Sequence, residues 1–558
     1  MRTDRRSFFR LLAGAAALLT GKISAAKSTP ERFDIHHATR NTRLGAFGAR
    51  RPKLSGPPPD HKRYPGKRRV ALPEPVAEPA RTLAEIVRQW APAQDFGGGS
   101  MTIAQLGRLL HFTNGVTMKP PAGGKGSARR AAPSAGALYS GEVYVAAARV
   151  QDLEPGIYYY EVAQHRLVEV AAGFEPARLA DAFERPASIE AAAATILLTN
   201  VFGRYSWRYA NRGYRYALID SGHIGENLRL AAASAGLAQR DFLAFRDDLL
   251  NDLLAIDGVK EAVCSVHAVG LPGPAREPEV EPSRTLADVS GVMAEAPEAV
   301  ADVSGVTAGA ALGAAELRGA WVEAQCTPAF SARGPITERY HAATKLVPAG
   351  EGVAEFAMPK DLPPRALEPN FPLPARAAGP ALKLEDAIQI RRSTAHFESG
   401  RLSLADLAHV LEMAHGHASL ARSGSLDVYL VVHRVESLEP GLYRYDRDHH
   451  RLVAHRIGSL AGDFARVCLG QERARTAAVG VLMVAWLGED RALASTRRYR
   501  DMLVESGAIG QRIYLAAESA GISARNLAAF RDYDLNRLLG LDDQREAAIH
   551  LTMLGPGD

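Results

Sequence analysis

The chain of 558 residues is too long for one hydrophobic core, and its 47% hydrophobic and 23% charged content is ordinary for a soluble globular protein. A formal net charge of +5 is small at this length and comes partly from Arg2, Arg5, Arg6, Arg10 and Lys22, which argues against nucleic-acid binding. The three cysteines, Cys264, Cys326 and Cys468, form no CxxC pair and argue against a disulfide framework or a metal site.

Residues 1–26 read as a twin-arginine signal peptide. Arg5-Arg6-Ser7-Phe8-Phe9 precedes the apolar run Leu11–Leu19, and Ser24-Ala25-Ala26 supplies small residues for cleavage. The run is shorter than the roughly 20 residues of a spanning helix, so no permanent membrane span is expected. Such a signal implies export by the twin-arginine translocase, with the chain already folded and any cofactor loaded, and a periplasmic location. Residues 27–80 are rich in Pro, Arg and Lys and are expected to be extended. The tandem His36-His37 has no third ligand at a fitting spacing and is assigned a surface or packing role.

A first domain is placed at 30–273. Leu83–Val87 and Thr102–Phe112 carry helical spacing, Glu142–Val150 and Tyr158–Tyr160 read as strands joined through Pro-Gly, and Ala194–Asn200 suits a buried central strand. Tyr214–Ala235 is a long helix that Gly236 ends. Residues 274–335, rich in Ala, Pro, Glu and Val, read as a linker, with Ala287–Val292 echoed by Ala301–Val306. A second domain, 336–558, repeats the pattern: helices Leu384–Ile388 and Ser403–Met413, strands Asp427–Val435, Tyr443–Tyr445 and Ala478–Ala485, and the helix Tyr499–Ala520 before Gly521.

The repetition is literal. Pro155-Gly156-Ile157-Tyr158 returns as Pro440-Gly441-Leu442-Tyr443, Tyr214-Arg215 as Tyr499-Arg500, and Ala244-Phe245-Arg246-Asp247 as Ala529-Phe530-Arg531-Asp532, each 285 positions on. A period this long means two whole domains in tandem, able to pair within one chain. Helices covering an antiparallel-type sheet give an α+β class, with two α/β sandwich domains forming an intrachain pseudo-dimer.

Three segments resemble the FMN-dependent nitroreductase superfamily, and within it the SagB-type (ThcOx-like) dehydrogenases. They are Arg130-Ala131-Ala132-Pro133-Ser134-Ala135-Gly136-Ala137-Leu138-Tyr139 with Glu142 and Tyr144; Trp207-Arg208-Tyr209 with Arg212, Tyr214-Arg215-Tyr216, Asp220 and Gly222-His223; and Arg391-Arg392-Ser393-Thr394 with Phe397. The chemistry suits a flavin. Paired arginines at a helix end bind phosphate. A Ser-Ala-Gly turn brings backbone N–H groups close to an isoalloxazine edge, since nothing bulky intervenes.

The resemblance implies an FMN-dependent oxidoreductase that transfers hydride through flavin N5, with FMN at the interface of the paired domains. Pro133, Ser134, Ala135, Gly136 and Ala137 would bind it from one domain, and Arg391, Arg392 and Ser393 from the other. Tyr209, Arg208 and His223 are the candidate catalytic residues. Arg208 stands where the family commonly has Lys, and a guanidinium cannot act as a general base. The substrate is expected to be a small molecule or a peptide. The electron donor or acceptor is left open among NAD(P)H, a redox protein, a quinone-like molecule and oxygen.

The two copies have lost different things. The place of Arg391-Arg392-Ser393 in the first copy is Trp90-Ala91-Pro92, and that of Pro133-Ser134-Ala135-Gly136 in the second is Ala418-Ser419-Leu420-Ala421. One composite FMN site per chain is therefore expected. The alternative is a degenerate, non-catalytic accessory protein that binds a flavin or another ligand.

Overall fold

The structure is a computed structural model that describes Thr39 and residues 58–59, 61–75, 81–93, 95–119, 128–183, 186–273, 321–323, 346–348, 370–374, 382–415, 426–488, 497–527, 529–542 and 544–557. The expected signal peptide, the His36-His37 pair, Cys326, the segment 418–421 and nearly all of the expected linker lie outside these residues. Cys264 and Cys468 are buried and unpaired with each other.

Each half is built on a seven-stranded antiparallel sheet. The first contains β1 (Arg69–Ala71), β2 (Gly141–Ala147), β3 (Gly156–Glu161), β4 (Arg166–Ala172), β5 (Ala194–Val201), β6 (Ala238–Phe242) and β7 (Glu261–Gly270), ordered β1-β4-β3-β2-β5-β7-β6. The second contains β8 (Asn370–Pro372), β9 (Leu426–Val432), β10 (Gly441–Asp446), β11 (Arg451–Ile457), β12 (Val479–Trp486), β13 (Ser523–Asn526) and β14 (Glu546–Gly555), ordered β8-β11-β10-β9-β12-β14-β13. The orders are identical, so the 285-residue repeat is a repeat of topology.

Helices α1 (Leu83–Gln89), α2 (Ile103–Asn114), α3 (Phe202–Tyr209) and α4 (Gly213–Ser234) belong to the first half. Helices α5 (Leu384–Ile390), α6 (Leu404–His415) and α7 (Arg497–Ala520) belong to the second. Capping boxes start α1 and α2: Thr82 and Thr102 accept the N–H groups of Glu85 and Gln105, whose side chains return to the cap N–H. Gly236 and Gly521, at φ 67° and 68°, follow the two long helices as expected. Among the described residues no helix is long and apolar enough to cross a membrane.

The long helices α4 and α7 cross at the centre of the molecule. The crossing point is Gly222 on Gly507: a Cβ on either would collide with a backbone carbonyl of the other helix, that of Val504 or of Ile219. One apolar core runs through both halves, with Leu218 and Ile219 packed in the same cluster as Val504 and Ile509. Two buried clamps flank the crossing. Arg212 and Arg215 both reach the Asp532 carboxylate at 2.6 Å, and Arg497 and Arg500 reach Asp247 at 2.5 and 2.8 Å. The repeated Tyr-Arg and Phe-Arg-Asp motifs are thus each other's partners across the interface. Thr82 pairs with Lys383 nearby, joining the starts of α1 and α5.

Candidate functional site

The segment before β2 forms a tight turn. Gly136 lies at φ 65°, and Ala137 and Tyr139 are left-handed without being glycine, at φ 54° and 45°. Such conformations cost on the order of 1–3 kcal/mol each and survive only where surroundings enforce them. The Tyr139 N–H donates to Ser134 Oγ at 2.8 Å, its hydroxyl donates to the Ala128 carbonyl at 3.0 Å, and the Arg130 guanidinium sits 4.4 Å over its ring.

Beneath the turn lies a chain of hydroxyls. Ser134 Oγ is 2.6 Å from the Tyr205 hydroxyl, which donates to Asp220 on α4. On the other side, the room that Gly136 leaves is taken by the Tyr209 hydroxyl and the Arg208 guanidinium. This corrects the expectation that nothing bulky stands at the glycine: Gly136 is what admits these two side chains from α3 to the turn. Burial raises the Tyr209 phenol, Arg208 opposes the rise and Asp220 adds to it, so Tyr209 keeps its proton at neutral pH.

The second half meets this turn through α5. Arg391, which ends that helix, donates from Nε to the Ala131 carbonyl at 3.1 Å and from Nη2 to the Arg130 carbonyl at 3.0 Å. Its guanidinium lies 5.4 Å from the Tyr514 ring. The Arg392 N–H donates to Glu518 at 3.0 Å while its side chain is exposed, and Ser393 Oγ is 2.7 Å from the Tyr514 hydroxyl. Tyr514 accepts the Asn526 N–H at 2.8 Å, and the Asn526 amide reaches His223 Nε2 at 2.8 Å. His223 is thus linked to Ser393 by hydrogen bonds. It is fully buried, and burial, His550 and Arg391 hold its pKa well below the usual range, so it is neutral.

The predicted residues of both halves therefore converge. Pro133–Ala137, Arg208 and Tyr209 form one wall, Arg391–Ser393 the facing one, and His223 lies behind Asn526. Tyr205, Asp220, Tyr514 and Asn526 join the site without having been predicted as site residues. Tyr205 was hidden in an aromatic run, and Tyr514 and Asn526 correspond to Arg229 and Asp241, so comparing the copies marks no shared motif there. The charge suits an anionic ligand such as a flavin phosphate. Arg130, Arg208, Arg391 and Arg392 line the site, and Arg130 Nη1 is buried with no hydrogen-bond partner.

The pseudo-symmetric place is different. There Arg229 lies 4.7 Å over the Trp90 ring, the reverse arrangement of Arg391 over Tyr514. Arg229 also binds Glu226 at 3.0 Å and Asp241 at 2.8 Å, Arg512 binds Glu226 at 3.1 Å, and His267 binds Asp241 at 2.5 Å. An indole stands where the first site has the Arg391 guanidinium, and a buried ionic network where it has the Tyr514 hydroxyl and the Asn526 amide.

The sequence profile of the nitroreductase family matches residues 94–271 and again 388–555. A nitroreductase-type structure from Anabaena variabilis superposes with a TM-score of 0.68 at 24% identity, covering 94% of this chain and 99% of that one. It corroborates the two-domain fold. Methanocaldococcus jannaschii MJ1384, which bears the name of a nitroreductase, is 27% identical over 174 residues, 31% of this chain and 84% of that protein. The trifolitoxin-processing protein TfxB of Rhizobium leguminosarum bv. trifolii is 31% identical over 146 residues, 25% of this chain and 39% of its own length.

Proposed function

The chain belongs to the nitroreductase family, with the family's domain present twice, and from that premise we propose that it is an FMN-dependent oxidoreductase with one composite site per chain. The observation that carries this reading is the pair of bonds from Arg391 to the Arg130 and Ala131 carbonyls, which seat the end of α5 in one half against the residues that lead into the 133–137 turn of the other. The backbone of Ser134–Ala137 would hold the flavin ring edge, and Arg130, Arg392 and Ser393 its anionic end. When bound, FMN would supply hydride transfer through N5.

The protein's own residues have distinct tasks in this reading. Arg391 joins the two walls. Tyr209, protonated at neutral pH, is the group able to give a proton to a substrate over the turn. Arg208 stays charged and orients a carboxylate or another anionic group. We place the chain with the SagB-type enzymes on the Pro-Ser-Ala-Gly and Trp-Arg-Tyr segments. Its substrates would be small molecules or peptides, a range that accommodates the toxin processing for which TfxB is named. The twin-arginine segment supports export in the folded state to the periplasm. There a redox protein, a quinone-like molecule or oxygen would be the electron partner more readily than NAD(P)H.

The test is the flavin-to-protein ratio of the purified chain, with the released cofactor identified after denaturation. A ratio near one supports the reading, and a ratio near two refutes the single site. No flavin after reconstitution with excess FMN would favour the accessory, non-catalytic protein, a reading consistent with the ionic network at the second place.

A further inference from the structure

Among the described residues, most buried carboxylates face a cation. Asp247, Asp532, Glu142, Glu226 and Glu385 form ion pairs with arginines and Glu261 with Lys62, and the partly buried Asp501 lies among Arg497, Arg498 and Arg500. Asp220 is different. It is 5% exposed, near the start of α4, and what it meets is the Tyr205 hydroxyl, the Ser134 side chain and the Ala135 N–H. The other groups around this chain are Tyr209 and Tyr216, whose rings pack against Tyr205, and Tyr139. The nearby cations act elsewhere: Arg130 and Arg391 on Tyr139, and Arg208 on Tyr209.

A buried carboxyl without a cation is neutralised most cheaply by a proton. Its hydrogen bonds then form a two-way chain. With Asp220 ionised, Tyr205 donates to Asp220 and Ser134 donates to Tyr205. With Asp220 protonated, Asp220 donates to Tyr205 and Tyr205 to Ser134. Ser134 Oγ already accepts the Tyr139 N–H, so its own hydrogen is then released toward the turn.

We propose that Asp220 is a proton store that exchanges a proton, through Tyr205 and Ser134, with the group docked on the 133–137 turn. This rests on the reading of that turn as the flavin-bearing wall. The exchange balances. The Asp220 proton passes to the Tyr205 oxygen, the Tyr205 proton to Ser134 Oγ, and the Ser134 proton to the docked acceptor. Asp220 ends as a carboxylate, both hydroxyls are restored, the acceptor gains one proton and no electrons move. Burial lifts Asp220 to about 7, and it lifts Tyr205 far above its ordinary value and Tyr216 to about 12. Only the carboxyl of this cluster therefore changes charge near neutral pH. Asp220 acts through Ser134 and is a positioning and proton-supplying residue.

The first measurement is infrared titration of the cofactor-free chain. A protonated-carboxyl band should vanish near neutral pH, be missing in Asp220→Asn and shift in Tyr205→Phe. The second is the pH profile of single-turnover reduction of bound FMN by a chemical reductant, where Tyr205→Phe should remove the inflection near neutrality and slow the step about tenfold or more. If the band does not titrate, or is unchanged in Tyr205→Phe, the relay is wrong, whether or not the chain takes up FMN. An unaltered pH profile in Tyr205→Phe would also overturn it. A band that behaves as expected in a chain that takes no FMN keeps the proton store and refutes the flavin reading instead.

Discussion

Asp220 and Asp532 show how differently two buried aspartates can be treated by one fold. Asp532 is fixed by two arginines from the opposite half, and replacing it with Asn leaves two buried cations without their counter-charge. We expect Asp532→Asn to lower unfolding stability by about 3–5 kcal/mol in denaturant melts; a loss below about 1 kcal/mol would mean that the clamp is incidental. Asp220, by contrast, gains from losing its charge. Its carboxyl is raised to about 7 in the fold, against about 4 when unfolded. Below about pH 4 both states hold the proton, and from there to about pH 7 the unfolded state releases it first, so this residue's contribution to stability falls as pH rises. Asp220→Asn should therefore be more stable relative to the parent chain at about pH 8 than at about pH 5, by a few kcal/mol at most. The buried histidines His267, His415, His433 and His550, held near 3 to 4, have the opposite sign and weaken the fold in acid. They are common to both proteins and cancel in the difference. An unchanged difference at the two pH values would refute the unpaired-carboxyl account.

At the scale of elements, the crossing of α4 and α7 depends on two residues without side chains. Gly222→Leu should prevent the approach, because the obstacle is backbone and cannot rotate away. The expected cost is at least about 1–3 kcal/mol, read as a lowered melting temperature and exposed apolar surface in dye binding. A variant that melts with the parent would show that the helices do not meet there. The glycines stand in repeated Ser-Gly pairs visible in the sequence, and the two long helices, their glycine ends and the central strands were all legible from periodicity and from the 285-residue register. Helix α3 was not. Its cap position, Val201, offers no side-chain bond, and at eight residues the helix is too short for the spacing of Phe202, Tyr205 and Tyr209 on one face to stand out from the aromatic run. Strands β7 and β14 were missed because small, polar and histidine residues break their alternation. The turn 133–137 and the arginine pair 391–392 were legible as motifs. What no motif could show is that Arg391 spends its donors on the carbonyls of the other half, since that is decided by how the halves dock.

At the scale of the whole molecule, joining two family domains in one chain permits what a symmetric homodimer cannot do. In a homodimer every substitution appears at both sites. Here one place keeps the turn of the first half and the arginines of the second, while the other has Trp90 under Arg229 and a closed ionic network. This division of labour requires the halves to stay together through their interface and not through the connecting segment alone. The interface is equipped for that, with a shared apolar core, two double-arginine clamps and the Thr82–Lys383 pairing. Placing a protease site between residues 274 and 320 and cutting it should therefore leave both fragments in one particle on gel filtration at micromolar concentration. On the proposed composite-site reading, the cut chain should also retain its one flavin. Its melting temperature should fall only modestly, because the described interface holds the halves together and what the cut removes is effective concentration. Repeating the cut in an Asp247→Asn/Asp532→Asn chain should release the fragments and the flavin together. If the parent fragments separate on cutting, the halves are held by the connection, and a site assembled from both of them would not survive.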